Sequence, residues 1–284
     1  MSTFAAPTTI DAAVAALAAM PDAQLVAGGT DVLSAARASG RPLPQDWVSL
    51  HAVAELRGIE GTPLGGARIG AGTPLAAIAA SPLMRTSAAA VATAAGLVGA
   101  PATRTVATLG GNLANGSPAM DLGAPLLVHD ARVEIAGPAG RRSLAVEDLL
   151  VGPGETALGA GEILTVVELP APPGAARSAY VRHAGRAAME VTVAGAAALV
   201  ARDDGGAIAQ ARIALSAVAP TCVRVREAEA LLAGVAPDDT SAISAAADAA
   251  AELCAPIDDL RAPAGFRRAL VAVVVARALR EALA

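Results

Sequence analysis

ATLGGNLANGSPAMDL, residues 107–122, is the stretch from which the rest of the chain becomes readable. It begins with a hydroxyl at Thr108 and two adjacent glycines, Gly110 and Gly111. Short polar side chains follow, Asn112, Asn115, Ser117 and Asp121, in an otherwise apolar run. Burying so many polar groups without partners is unfavourable, and a polyhydroxyl ligand would supply those partners. A comparable bend stands near the N-terminus in LVAGGTDV, residues 25–32, where a short apolar strand runs into Gly28-Gly29-Thr30-Asp31. A helix is expected over 32–39, with Gly40 as its stop. A glycine pair between strand and helix allows positive φ and close approach of a ligand to the backbone, and N–H groups at a helix start favour phosphate. Taken alone, Gly28-Gly29 is better explained by turn geometry, and the second pair changes that balance. Two facing nests suggest a diphosphate, and the Asp121 carboxylate suggests ribose or ribityl hydroxyls, which together describe a dinucleotide. The pattern is neither the Rossmann fingerprint, for want of a third glycine and of an acid about twenty residues on, nor a Walker A loop, for want of lysine.

Outward from these bends, the pattern predicts a helix over 9–20 capped by Thr9 and a strand at 47–50. A turn at 63–66 suggests a subdomain boundary. A strand at 68–71, a helix at 74–80 and a longer alanine-rich helix at 85–98 follow. Strands are expected over 126–136 and 163–169, and the proline cluster at 170–174 reads as a linker. Beyond it, strands at 191–200 and 211–218 and helices at 223–233, 238–254 and 264–283 form a separate α+β layer.

The chain has 284 residues, 54% hydrophobic and 17% charged, with net charge −5, so it is not disordered. All 21 basic residues are arginine. The mild acidity argues against a nucleic-acid partner. Two cysteines, Cys222 and Cys254, cannot by themselves hold an iron–sulfur cluster or a Cys-rich zinc site, and no metal site is expected here. His51, His129 and His183 have no metal-ligand spacing and read as exposed or hydrogen-bonded. With no signal-peptide pattern and no transmembrane segment, a soluble cytoplasmic protein is the expectation.

These motifs resemble a known family. LVAGGTDV, ATLGGNLANGSPAMDL, GEILTVVELP (161–170) and YVRHAGRAAMEVTVAGAAA (180–198) are similar, in order and spacing, to the FAD-binding medium subunit of the molybdenum hydroxylases, which include xanthine dehydrogenase and aerobic carbon monoxide dehydrogenase. The resemblance implies a mixed α/β and α+β fold: a two-lobed FAD-binding domain of the vanillyl-alcohol-oxidase/PCMH type over 1–172, with lobes of about 1–60 and 61–172, then an α+β C-terminal flavoprotein domain over 175–284. Leu25, Val26, Ala27, Gly28, Gly29, Thr30, Asp31 and Val32 would form the first diphosphate loop, and Thr108, Leu109, Gly110, Gly111 and Asn112 the second. Val98 would lie beside the cofactor, Ser117 would belong to the same site, and Asp121 would accept from the sugar-like part of FAD. Leu164 would pack near the isoalloxazine ring, and Arg182 would sit beside the flavin where many members carry lysine.

The resemblance also implies partners: a large subunit with the molybdenum cofactor and a small subunit with two [2Fe–2S] clusters, assembled as a dimer of heterotrimers. Electrons would pass from the clusters through FAD to NAD+, a quinone or oxygen, with no catalytic side chain in this chain. The alternatives are an assembly subunit whose flavin site has decayed, and a stand-alone flavin oxidoreductase.

Overall fold

The computed structural model describes residues 3–40 and 42–284. The N-terminal lobe begins with β1 (Phe4–Ala5), α1 (Ile10–Ala19), β2 (Gln24–Val26), α2 (Thr30–Ser39) and β3 (Trp47–Ser49). Thr9 caps α1 by accepting from the Ala12 N–H. The three strands form a parallel sheet in the order β1-β3-β2. Ala13 and Leu17 of α1 share a buried cluster with Val48 of β3 and with Ile163, which belongs to the second lobe. Helix α1 therefore joins the two lobes.

That second lobe contains β4 (Ile59–Gly61), β5 (Ala67–Gly70), α3 (Leu75–Ala80), α4 (Pro82–Ser87), α5 (Ala89–Leu97), α6 (Pro101–Arg104), α7 (Leu109–Ala114), α8 (Gly123–Val128), β6 (Arg132–Gly137), β7 (Gly140–Ala145), α9 (Val146–Leu149), the short pair β8 (Leu150–Gly152) and β9 (Glu155–Thr156), and β10 (Ile163–Leu169). Five strands make an antiparallel sheet in the order β4-β5-β10-β6-β7. The register of β10 against β6 shifts between Leu164 and Val166. This bulge breaks the in–out alternation, and the adjacent Ile163, Leu164 and Thr165 are all buried.

The C-terminal part has β11 (Arg177–His183), β12 (Ala194–Arg202), β13 (Ile208–Ser216) and β14 (Val223–Arg224) in one antiparallel sheet in chain order, with α10 (Arg226–Ala230), α11 (Thr240–Leu253) and α12 (Ala264–Leu283). One face of the sheet packs against α11 and α12. The other joins the second lobe's core, in which Tyr180, Ala197, Leu199 and Ala214 meet Leu126 and Leu127 of α8.

The structure departs from the sequence reading at several elements. Residues 126–128 are helical, and a strand begins only at Arg132. Every residue of α8 is buried, so its apolar run lacks the polar face that distinguishes a helix from a strand. The helix expected over 85–98 is two, broken at Ala88 (φ −146°, ψ 56°), because Ser81 and Pro82 start α4 earlier. Residues 223–224 are a strand where a helix is expected. The strand Arg177–His183 is absent from the sequence reading.

His129, beyond α8, is buried and hydrogen-bonded, its Nε2 lying 3.1 Å from the Ser178 hydroxyl. Burial, with the nearby Arg212 guanidinium adding to it, lowers its pKa from 6.5 to about 4. Between those values the unfolded chain holds a proton that the folded chain does not. Stability is therefore full above the unfolded value and falls as the pH drops from about 6.5 to about 4, by about 3 kcal/mol over the span. Urea unfolding of wild type and His129→Gln across this range should show the wild type's advantage shrinking as pH falls. Parallel curves would show that the ring is not held neutral.

Candidate functional site

The loop between β2 and α2 contains the first glycine pair. Gly29 is the N-cap of α2 in the left-handed region (φ 71°), and no side chain caps that helix, so the first-turn N–H groups face outward without an internal acceptor. Gly28 has a different role. A Cβ there would overlap the carbonyl of Val106, so its backbone lies directly against the segment leading into the second bend.

That second bend is the start of a helix rather than a turn. Thr108 caps α7 and accepts from the Gly111 N–H at 3.1 Å. Gly110 and Gly111 lie within α7, and neither has positive φ. Gly110 is required by packing: a Cβ would stand 2.7 Å from the Ala71 Cβ and 2.9 Å from its carbonyl oxygen. Its N–H donates to that oxygen at 2.7 Å, while Leu109 donates to Thr73 O and Leu75 to Ala107 O. The stretch after β5 is thus laced to the stretch before α7.

Between the two bends lies a cavity of about 670 Å3, within the usual size of small-molecule and cofactor sites. All eight residues from Leu25 to Val32 line it, with Val98, Thr108, Gly110, Gly111, Asn112, Ser117, Asp121 and Leu164. Two of the expected site residues do not. Leu109 is fully buried in the core, because position N1 of α7 turns its side chain inward. Arg182 lines a separate hollow of about 430 Å3 with Leu97, His183 and Glu281.

The reason for the second departure is Asp121. Its Oδ1 accepts from the Tyr180 hydroxyl at 2.8 Å and the Thr192 hydroxyl at 2.6 Å, and its Oδ2 from Arg182 Nη1 at 2.7 Å. Arg182 Nη2 donates to Leu97 O at 3.1 Å. A buried guanidinium needs such an anion and carbonyl around it, and these partners hold it behind the cavity wall. Burial and the adjacent carboxylate raise the Tyr180 pKa, keeping the phenol a donor. Gly195 makes room for this group: a Cβ would stand 2.7 Å from the Tyr180 hydroxyl.

Several lining residues were missed by the sequence reading: Ala71 and Gly72 after β5, Ile163 beside Leu164, and Met189 to Val191 from the β11–β12 connection. Gly72 followed a foreseen strand and could have been found. Ile163 enters only through the β10 bulge, and the connection only through tertiary structure. Asn112, one of the lining residues, has its Oδ1 buried without a hydrogen-bond partner among the described residues. Such an acceptor is costly unless a ligand donor meets it. Among the described residues, no group of three or more His, Cys, Asp or Glu could hold a metal ion. Cys222 is buried, with its thiol pushed up to about 12 by burial first and Asp121 second, so it is not a nucleophile.

Residues 1–172 match the family described as "FAD binding domain in molybdopterin dehydrogenase", and residues 179–282 match "CO dehydrogenase flavoprotein C-terminal domain". The chain is 34% identical to the xanthine dehydrogenase FAD-binding subunit of Escherichia coli O157:H7 over 97% of its own length and 94% of that protein's. It is 33% identical to the carbon monoxide dehydrogenase medium chain of Hydrogenophaga pseudoflava, covering 99% and 96%. The solved structure of carbon monoxide dehydrogenase from the same organism, a form lacking the Mo-pyranopterin moiety of the molybdenum cofactor, superposes with a TM-score of 0.92 at 33% identity, covering 99% of this chain and 96% of that one.

Two glycines separate packing from backbone strain. Gly28→Ala must displace the Val106 carbonyl, and a loss of about 2–3 kcal/mol is expected. Gly40 has φ 63°, with nothing within 4 Å of the point where a Cβ would stand, so Gly40→Ala should cost only about 1 kcal/mol of strain. Equal losses in urea unfolding would mean that the bends do not bear on each other.

Proposed function

Because the chain belongs to the FAD-binding subunits of the xanthine dehydrogenase and carbon monoxide dehydrogenase family, we propose that it is the electron-transfer subunit of a molybdenum hydroxylase complex, holding FAD between its two glycine bends. On this reading residues 1–172 form the FAD-binding domain, in lobes of about 1–60 and 61–172, and residues 175–284 form the C-terminal domain. FAD, when bound, accepts electrons from [2Fe–2S] clusters of a small partner subunit and delivers them to an external acceptor such as NAD+, a quinone or oxygen. A large partner subunit carries the molybdenum cofactor and selects the substrate.

The observation that carries the reading is the convergence of the two bends on one cavity together with the unpartnered Asn112 Oδ1. The chain's own work is to bind and orient. N–H groups of 28–32 and of the α7 start offer donors to a diphosphate. Asn112 offers an acceptor, and Asp121, its carboxylate already fixed from behind, presents what remains of its lone pairs to the cavity wall. Leu164, Ile163 and Val98 supply apolar wall on which a ring system can lie and from which water is excluded. Arg182 does not reach the cavity, so its charge acts only through Asp121. Among the described residues, no helix is long and apolar enough to cross a membrane.

The test is direct. The purified chain, stripped and then titrated with FAD, should bind one FAD per chain with the visible absorbance of flavin. Co-expression with an iron–sulfur subunit should give a complex that stays together on gel filtration. No flavin retention would contradict the site, and no association would contradict the electron route. Asn112→Leu keeps the size but removes the acceptor, and it should raise the Kd for FAD about tenfold, equivalent to about 1.4 kcal/mol. An unchanged Kd would take Asn112 out of the site.

A further inference from the structure

Among the described residues, the cavity that the FAD reading assigns to a dianionic diphosphate is lined by no positively charged side chain. Among the described residues its charged lining consists of Asp31, Asp121, Glu162 and Glu190, and no arginine or histidine faces it. Three of these acids are neutralised by arginines. Asp121 pairs with Arg182 at 2.7 Å, Glu162 with Arg142 at 2.6 Å and Glu190 with Arg186 at 2.9 Å. Asp31 alone of the four finds no ion-pair or side-chain hydrogen-bond partner among the described residues. The residue is exposed, at the second position of α2, on the same uncapped first turn whose residues line the cavity. Partial burial among the wall residues raises its pKa, and no neighbouring charge contributes to that shift.

A carboxylate in the first turn stabilises a helix through the partial positive charge of its N-terminus. That same charge is what a diphosphate would use. We infer that Asp31 is an affinity-limiting residue of the cofactor site: its unpaired carboxylate competes with the diphosphate for the start of α2, so the cofactor is held by backbone N–H groups against a net negative wall. This rests on the FAD reading and goes beyond it in one respect. Anion sites built from arginine or lysine weaken as salt rises, because screening removes attraction. Here the through-space term between wall and ligand is repulsive, and screening removes repulsion. Added salt should therefore tighten binding.

The test uses the full-length chain freed of FAD and titrated with FAD by fluorescence. For wild type, the Kd should fall about twofold between about 20 mM and about 300 mM sodium chloride. Asp31→Asn, which keeps shape and removes charge, should lower the Kd at low salt about threefold to tenfold and flatten the salt dependence. It should also lower the melting temperature of the FAD-free chain, since the helix start loses its charge partner. ADP, which carries the diphosphate without the flavin, should follow the same pattern as a competitor. A variant that binds FAD more weakly than wild type would overturn the inference, because Asp31 would then be a ligand rather than a competitor. Binding that weakens with salt in the wild type would overturn it too. Failure of the wild type to bind FAD at any salt would contradict the FAD reading itself, and so is distinguishable from both.

Discussion

The backbone of Gly28 rests against the carbonyl of Val106, with no room for even a single carbon between them. This contact joins the β2–α2 bend of the first lobe to the chain entering α7 in the second. Without it the two glycine pairs would be separate helix starts on separate sheets. With it they form opposite walls of one cavity. The lacing of residues 71–75 to 107–110 by backbone hydrogen bonds then sets how far apart those walls stand. Backbone packs on backbone at both joints, so the dimensions of the cavity depend little on side-chain rotamers.

A second constraint comes from the C-terminal part. The carboxylate of Asp121 is contributed by the loop between α7 and α8, and its donors Tyr180, Arg182 and Thr192 come from β11 and the connection beyond it. The cavity wall is thus completed only when the C-terminal sheet is docked on α8, where the two share a core. Removing one member of a buried ionic group leaves the others uncompensated, so the cavity and the interdomain contact are energetically one structure. The nearby Arg212 and Arg224, both paired with Asp130 beyond α8, strengthen the same seam.

Much of this was legible in the residues. The helix expected over 264–283 coincides with α12, because Pro263 immediately precedes it and an uninterrupted run of helix-compatible residues follows. Thr9 announces its helix by a hydroxyl that does accept the cap hydrogen bond, whereas Thr108, read as part of a turn, also caps a helix. Of the residues expected around the cofactor, Leu25 to Val32 and most of 108–121 line one cavity, since local glycine chemistry and sequence proximity carry them there. What was not legible depends on distant contacts. The resemblance puts Arg182 beside the flavin, and only the fold reveals that Asp121 has taken it. Leu126 and Leu127 read as strand because burial on every side erases the periodicity that would mark a helix. Met189 to Val191 reach the cavity from the far side of the proline-rich linker, which no local pattern encodes.

A crystal structure of the chain with FAD bound tests the central claim most directly. The account requires the diphosphate to lie between the two bends, within hydrogen-bond reach of N–H groups of residues 28–32 on one side and of the α7 start on the other, with a ligand donor meeting the Asn112 Oδ1. Density for FAD in the smaller hollow beside Arg182, or elsewhere on the surface with the cavity between the bends left to water, would contradict it.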